Sequence, residues 1–297
     1  MTKIKIATFN AENLFARYNF KANFAATNDG FSINDLAFDL HDNDAKKITA
    51  KVIKAMKADV VCLQEVENME VLERFISRYL GGKGYKERML IDSHDPRRID
   101  VAIISKLPII NSRTYRHERK NSAWLFSRDC LQVTVEKEGK QLTIFNNHFK
   151  SMIRTREETK ERRELQVKRV AEIITGLYSQ NNYKDNFAVL GDFNDYPDGD
   201  TALTALLQHP GLVNAMERIP DADRWTHFWA GGNKYSQLDF ILLGKELAQT
   251  NTNAPEIIRK GMPWRAEKYT GERFEDVGEN DPKASDHCGV CMEIELN

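Results

Sequence analysis

Apolar positions along this chain fall into two periodicities. Seven runs are rich in β-branched or aromatic residues and bounded by polar ones: KIKIATF (3–9), DVVCLQ (59–64), DVAIIS (100–105), LQVTVEKEGKQLTIFNNHF (131–149), FAVLGDF (187–193), LDFILL (238–243) and GVCMEIEL (289–296). These predict strands, and the long fourth run predicts a hairpin turning at Glu138-Gly139. Segments 45–57, 69–80, 157–178 and 201–208 predict helices. In the first, Ile48, Val52, Ile53 and Met56 form an apolar stripe at helical spacing. In the third, the stripe (Leu165, Val167, Val170, Ile173, Ile174, Leu177) follows a charged half, EETKERRE. Strands alternate with helices early and a hairpin interrupts them later, which predicts α/β layers with a mixed sheet. No repeat or linker divides the chain, so 1–297 reads as one domain, with long surface loops at 17–44 and 252–284.

The strand ends are unusually polar. VLGDFND closes one run with Asp192, Asn194 and Asp195. Taken alone this reads as a turn, since Gly, Asp and Asn are common turn formers. Other runs end the same way, at Asn10, at Glu65, and at Asn146 with His148. Two late runs carry their polar residues at the start instead: Asp239 in QLDFILL, and Asp286 with His287 before CGVCMEI. All of them converge on one edge only if the late strands run opposite to the early ones.

Bulk properties narrow the picture. The net charge of −1 gives no global basic field, so nucleic-acid binding would rest on a local patch. No apolar run approaches the ~20 residues that span a membrane. The first residues alternate like a strand rather than a secretion signal, so the expectation is a cytoplasmic protein with no membrane contact, and a monomer by default. Cys62, Cys130, Cys288 and Cys291 lie in or beside apolar runs and read as buried free thiols. CGVC lacks a second pair to complete a zinc site.

The acids and amides at the strand ends are oxygen ligands suited to Mg²⁺ or Mn²⁺, and two histidines stand ready to donate to a phosphate or move protons. That combination points to metal-assisted phosphoester hydrolysis. No GxSxG elbow appears, and GGKG at 81–84 lacks the context of a phosphate loop.

The ordered set TFNAENL, CLQEVE, NNHFKS, GDFND, LDFILL and SDHCGV, running from Thr8 to Val290, resembles the endonuclease/exonuclease/phosphatase superfamily with its deoxyribonuclease I-like fold. The resemblance implies a four-layer α-β-β-α sandwich of two packed mixed sheets, with the site at one end and Mg²⁺ (or Mn²⁺) as cofactor. It implies Glu65 as principal metal ligand, with Asn10 and Asp286 completing the metal environment. Asp192 would orient and deprotonate the attacking water, and Asn194 would contact phosphate and water. His287 would meet the scissile phosphate with Asp239 as its carboxylate partner. His148 matches a second histidine, and Asn146 the asparagine before it; abasic-site endonucleases usually carry Tyr at the position of His148. Glu87, in YKERML, would pair with His148.

Substrate is less determined. Lys150, Arg154, Arg156, Arg162 and Arg163 follow the site in sequence, and Arg97 and Arg98 precede a strand. Such a basic strip would hold a nucleic-acid backbone, with Lys150, Arg154, Arg98 and Asn146 as substrate contacts. The helix arginines read equally well as a solvated face paired with Glu157, Glu158, Glu161 and Glu164. Phe193, Tyr196, Trp225 and Phe228 are candidates to stack on a base, with a core role favoured for Trp225. The leading reading is a nuclease; a lipid or small-molecule phosphoesterase of the same fold (sphingomyelinase-like or inositol-phosphate phosphatase) and a non-catalytic phosphate-binding module are the alternatives.

Overall fold

The computed structural model describes residues 2–15, 43–152 and 155–297. The expected loop at 17–44 therefore lies almost wholly outside the described residues, and so does Arg154. In chain order the elements are β1 (Lys3–Leu14), α1 (Asn43–Met56), β2 (Val60–Val66), α2 (Met69–Tyr79), β3 (Glu87–Leu90), β4 (Asp100–Ser105) and β5 (Ile109–Thr114). A short hairpin β6 (Arg119–Lys120) and β7 (Ala123–Trp124) precedes β8 (Cys130–Lys137), β9 (Lys140–His148) and α3 (Arg156–Tyr178). Next come β10 (Phe187–Asp192), α4 (Thr204–Leu207), β11 (Leu212–Asn214), β12 (His227–Trp229), β13 (Lys234–Ser236), β14 (Asp239–Gly244), α5 (Lys245–Thr250), β15 (Glu256–Ile258) and β16 (Gly289–Glu295).

Local chemistry sets several of these boundaries. Asn68 caps α2 by accepting from Val71 N, and Thr155 caps α3 by accepting from Glu158 N. The β8–β9 hairpin turns at Glu138 and Gly139, both at positive φ (53° and 75°), as a tight hairpin turn requires. The expected helix at 201–208 shrinks to the four residues of α4. Strands β3 and β5 carried no clear sequence signal: β5 is an edge strand with an exposed middle, so no apolar alternation marks it.

Two mixed six-stranded sheets pack face to face, in the orders β15-β16-β1-β2-β4-β3 and β11-β14-β10-β9-β8-β5. Strands β1 and β2 pair in parallel, as do β9 and β10, while β16 runs antiparallel to β1 and β14 antiparallel to β10. Alternation sorts each strand between two cores. Ile4, Ile6, Cys62 and Ile103 meet Leu142, Ile144, Leu190 and Ile241 between the sheets. Phe9 and Leu63 turn outward against α1 and α2 (Ile48, Val52, Val71, Phe75), and Val189 and Phe240 turn outward against α3 (Val167, Val170, Ile174). Each fully buried aliphatic side chain contributes roughly 1.5–3 kcal/mol over an exposed one, which makes the inter-sheet seam a rigid base for whatever sits at its end. All four cysteines are buried and free.

Candidate active site

One face of each central strand changes from apolar to polar as it leaves the inter-sheet core. On β1 the series is Ile4, Ile6, Thr8, Asn10; on β9 it is Leu142, Ile144, Asn146, His148; on β10 it is Ala188, Leu190, Asp192. On the oppositely directed β14 the series Leu243, Ile241, Asp239 reads backwards to the same edge. The first polar layer is structural. Thr8 Oγ1 and the Gln64 amide hydrogen-bond at 3.1 Å, Gln64 Nε2 donates to Asn146 Oδ1 at 2.8 Å, and Asn146 Nδ2 donates to Leu63 O and Ala102 O. Asn146 is fully buried with these bonds made, so the expected substrate contact is corrected: it ties one sheet to the other.

The next layer is built around Asp192. It is the register partner of His148 on one side and of Asp239 on the other. Its Oδ2 accepts from Asn10 Nδ2 (3.0 Å) and Asn194 Nδ2 (2.9 Å), and its Oδ1 accepts from Asn194 N (2.9 Å). His148 Nε2 lies 3.3 Å and His287 Nε2 3.7 Å from the same Oδ2. Burial alone would raise the Asp192 carboxyl; the charge of His287 and the hydrogen bonds from His148 and the amide of Asn10 overcome it and hold Asp192 well below the usual carboxylate range. Gly191 makes this approach feasible, because at its φ of 140° a Cβ would fall 1.9 Å from Asn147 O.

His287 Nδ1 pairs with Asp239 Oδ2 at 2.8 Å. Burial would lower this imidazole, but Asp239, Asp192 and Asp286 raise it well above its ordinary value. His148 goes the other way: burial and the charge of Arg128 outweigh Asp192 and Glu65 and lower it. One histidine is thus held charged and the other neutral, a division of labour set by environment. Ser285 fixes the SDH segment, donating from Oγ to Asn10 O (2.7 Å) and accepting from His287 N (2.9 Å).

Glu65 stands at positive φ (63°), where the β2–β4 register shifts between Leu63 and Val66. That bulge re-aims its side chain at the site. Glu65 Oε2 accepts from Asn13 N (3.1 Å), and Oε1 lies 3.8 Å from His148 Nε2. The side chains of Glu65 and Asp286 are 16% and 37% exposed, so both reach solvent from the rim. Among the described residues, two clusters hold ligand atoms within 4.8 Å of one another: His227, Asp286, His287 and Asp192, Asp239, His287. Both contain His287, whose Nδ1 is already engaged by Asp239. The oxygen donors of Glu65, Asn10 and Asp286 fit a hard divalent cation better.

The basic residues divide. Arg163 is buried: its Nε donates to Asp195 Oδ2 (3.0 Å), and Arg156 Nε donates to Asp195 Oδ1 (2.6 Å). Asp195, the second acid of VLGDFND, is therefore an anchor for α3, and both readings of Arg163 as an exposed face are corrected. Arg162 Nη2 donates to Trp124 O. Lys150 is half-buried, and burial together with Arg128, Arg162 and Arg97 lowers its ammonium, which marks a concentration of positive charge beside His148. Arg98 is exposed, on a cavity of about 570 Å³ shared with Glu67, Asp95 and Asp100. Glu87 is corrected: it opposes Ser105, at the end of β4 far from the site, and cannot reach His148. Phe193, Trp225 and Phe228 are buried core rings.

Two residues escaped the sequence reading. Arg128 is buried behind His148, donating to Asp95 Oδ2 (3.0 Å) and Phe149 O. His227, in RWTHFW, lies with Nε2 3.7 Å from Asp286 Oδ2 and its ring centroid 4.7 Å from that of His287. Only the closeness of RWTHFW to QLDFILL hinted at the second, and nothing local marks the first.

Residues 5–270 match the profile of a family described as Endonuclease/Exonuclease/phosphatase family. No curated protein matches the sequence. Among solved structures, the fold is similar to an endonuclease/exonuclease/phosphatase from Bacteroides vulgatus (TM-score 0.65, 16% identity, 100% of each chain covered). It is also similar to the human Nocturnin catalytic domain with bound sulfate anion (TM-score 0.63, 14% identity, 99% of this chain and 95% of that one). A third similar structure is D. rerio TDP2 complexed with single strand DNA product (TM-score 0.62, 16% identity, 100% of each chain).

Proposed function

Because the chain belongs to the Endonuclease/Exonuclease/phosphatase family, whose members hydrolyse phosphoester bonds and generally use divalent metal ions, we propose that it is a Mg²⁺-dependent nuclease hydrolysing a phosphodiester of DNA or RNA. The observation that carries this reading is the buried Asp192 carboxylate, bracketed by two amides and by two histidines of opposite charge preference.

In this reading Asp192 orients the attacking water. A carboxylate held so far below its usual range is a poor base at rest, so it takes the proton late, as the water bonds to phosphorus. Asn10 and Asn194 lock its rotamer. The His287 imidazolium donates to a non-bridging oxygen and balances the charge that develops there, while Asp239 keeps it protonated and aimed. His148, neutral, completes the donor set. Glu65, Asn10 and Asp286 would hold Mg²⁺, with Mn²⁺ as substitute; when bound, the ion supplies charge neutralisation at the phosphate and leaving oxygen.

The nucleic-acid assignment rests on the partly exposed cations Lys150, Arg97 and Arg162, close enough for the two arginines to lower the Lys150 ammonium, and on the likeness to a TDP2 structure that carries a single-strand DNA product. The test is a screen of single- and double-stranded DNA and RNA oligonucleotides against a panel of lipid and small phosphoesters, in Mg²⁺, Mn²⁺ and EDTA. Oligonucleotide cleavage that EDTA abolishes is the expected result; turnover confined to small or lipid phosphoesters overturns it.

A further inference from the structure

The hairpin β6–β7 has strands of only two residues each, yet side chains from three other segments hold it in place. His94 stacks on one face of the Trp124 ring, with centroids 4.0 Å apart and planes 7° from parallel. The Arg119 guanidinium, 3.4 Å from the ring centroid, covers the other face, and His117 meets the ring edge-on at 6.1 Å. The base of the hairpin is tied to the segment after His148 by the fully buried Gln166. Its Nε2 donates to Leu125 O (3.0 Å), and its Oε1 accepts from Lys150 N (2.8 Å). Arg162 Nη2 adds a bond to Trp124 O at 2.9 Å. The hairpin is thereby fixed relative to the catalytic end of β9.

What this scaffold displays is positive charge. Arg116, Arg119, Lys120 and Arg162 join Arg97 and Lys150 there, and all six reach solvent. Three of them donate to neutral groups: Arg116 to Asp92 O and His117 Nε2, Arg119 to Ser122 O, and Arg162 to Trp124 O. Two acids nearby are already engaged, Asp95 by Arg128 and Arg97, and Glu118 by Arg169. Burial and the charges of Arg116, His117 and Arg119 lower the His94 imidazole, and burial with Arg128, Arg162 and Arg97 lowers the Lys150 ammonium, so the positive field extends from Lys150 to the hairpin. The chain as a whole has a net charge of −1, so this excess is local. Like charges held together repel, and a polyanion laid across them relieves that repulsion.

A lipid surface suits this patch poorly. The hairpin tip is Asn121 and Ser122, and no large apolar side chain is exposed on it, whereas an element that enters a membrane presents an apolar face. A chain of phosphates suits it well, because Lys150 lies two residues from His148 and the cations continue outward from there. We infer that this surface is a track for the sugar–phosphate backbone of a nucleic-acid strand, on which the hairpin holds nucleotides beyond the one that is cleaved. The inference deepens the nuclease reading and rests on it for placing the cleaved phosphate at His148. A guanidinium stacked on an aromatic ring, as Arg119 is, keeps its planar fork oriented for phosphate oxygens.

The test reads binding in EDTA, so that no strand is cut. Fluorescence anisotropy follows labelled twelve-nucleotide strands of DNA and of RNA across about 50 to 200 mM salt. Wild type is compared with the double variant Arg116→Gln, Arg119→Gln and with a control, Lys54→Gln, Lys83→Gln, which removes the same charge near the end of the sheet away from the site. Thermal melts identify folded variants, and Lys120→Gln with Arg162→Gln, two exposed positions, serves if the first pair does not fold. In the hairpin variant the slope of log affinity against log salt should fall in magnitude by about 1.4, roughly 0.7 per charge removed, and binding at about 100 mM salt should weaken at least about tenfold; the control should match wild type. An unchanged slope, an equal fall in the control, or wild type that binds no oligonucleotide, whether or not it binds phosphatidylglycerol vesicles, overturns the inference. Hairpin-dependent binding without cleavage in Mg²⁺ would remove the nuclease reading and keep the surface; cleavage with hairpin-independent binding would do the reverse.

Discussion

Asp192 and Asp239 are register partners across the antiparallel pair β10–β14, and the His287 ring joins them, Nδ1 2.8 Å from Asp239 and Nε2 3.7 Å from Asp192. Two adjacent buried carboxylates would repel one another without that imidazolium. Asp239→Asn removes the nearest carboxylate charge that keeps His287 protonated. The expected outcome is a fall in kcat of about 10²–10⁴ with little change in KM. The sign of the pH effect follows from the raised imidazole: with the partner charge gone, His287 loses its proton at lower pH, so the alkaline limb of the rate profile moves down. Steady-state rates from pH 6 to 10 check both; an unmoved alkaline limb contradicts the role given to Asp239.

Glu65 bears on the cation. Glu65→Gln keeps an oxygen to accept from Asn13 N but removes the charge at the rim. Mn²⁺ affinity, read by calorimetry, should fall at least about tenfold, and the thermal midpoint without metal should change little. Unchanged affinity would remove Glu65 from the metal site.

Asp195 should act on stability instead. It accepts from Arg156 Nε, Arg163 Nε, Tyr196 N and Ala202 N, and both it and Arg163 are fully buried. Asp195→Ala strands a buried guanidinium, and the loss in urea unfolding should be about 3–5 kcal/mol.

That contrast shows what the chain discloses before it folds. VLGDFND ends in two acids three residues apart, and local sequence treats them alike. The strand-end pattern gathered Asn10, His148, Asp192 and Asp239 at one edge because period-2 alternation is written locally, whereas the reversed direction of β14, the bulge that aims Glu65 and the segment that carries His287 are not. Asp195 became an anchor only because Arg163 reaches it from α3, and Asn146 became a clamp only because Gln64, Leu63 and Ala102 lie across the inter-sheet seam. Arg128 carries no local signal and His227 only its closeness to QLDFILL; their places depend on contacts between segments far apart in sequence. The pairing imagined for Glu87 failed for the same reason, since the register of β3 against β4 sends it to the opposite end.

Asp100 supplies a pH test read on stability. Burial pushes its carboxyl up to about 6, against the hydrogen bonds it accepts from Ser93. A carboxyl raised on folding binds its proton more tightly in the folded state, so the burial penalty is full above pH 6 and fades as pH falls toward the unfolded value near 3.8. Asp100→Asn should therefore be more stable than wild type at pH 8, by up to about 3 kcal/mol, with the difference closing below about pH 4. Urea midpoints at the two pH values measure it; a difference independent of pH contradicts the assignment.

The central claim is that water, oriented by Asp192, attacks phosphorus in a reaction that needs a divalent cation. Cleavage of a defined oligonucleotide in ¹⁸O-labelled water tests it most directly. The account predicts one labelled oxygen on the product phosphate in Mg²⁺, no product in EDTA, and a loss of at least about a hundredfold in rate for Asp192→Asn. Product lacking the label, or full-rate cleavage by Asp192→Asn or in EDTA, would contradict it.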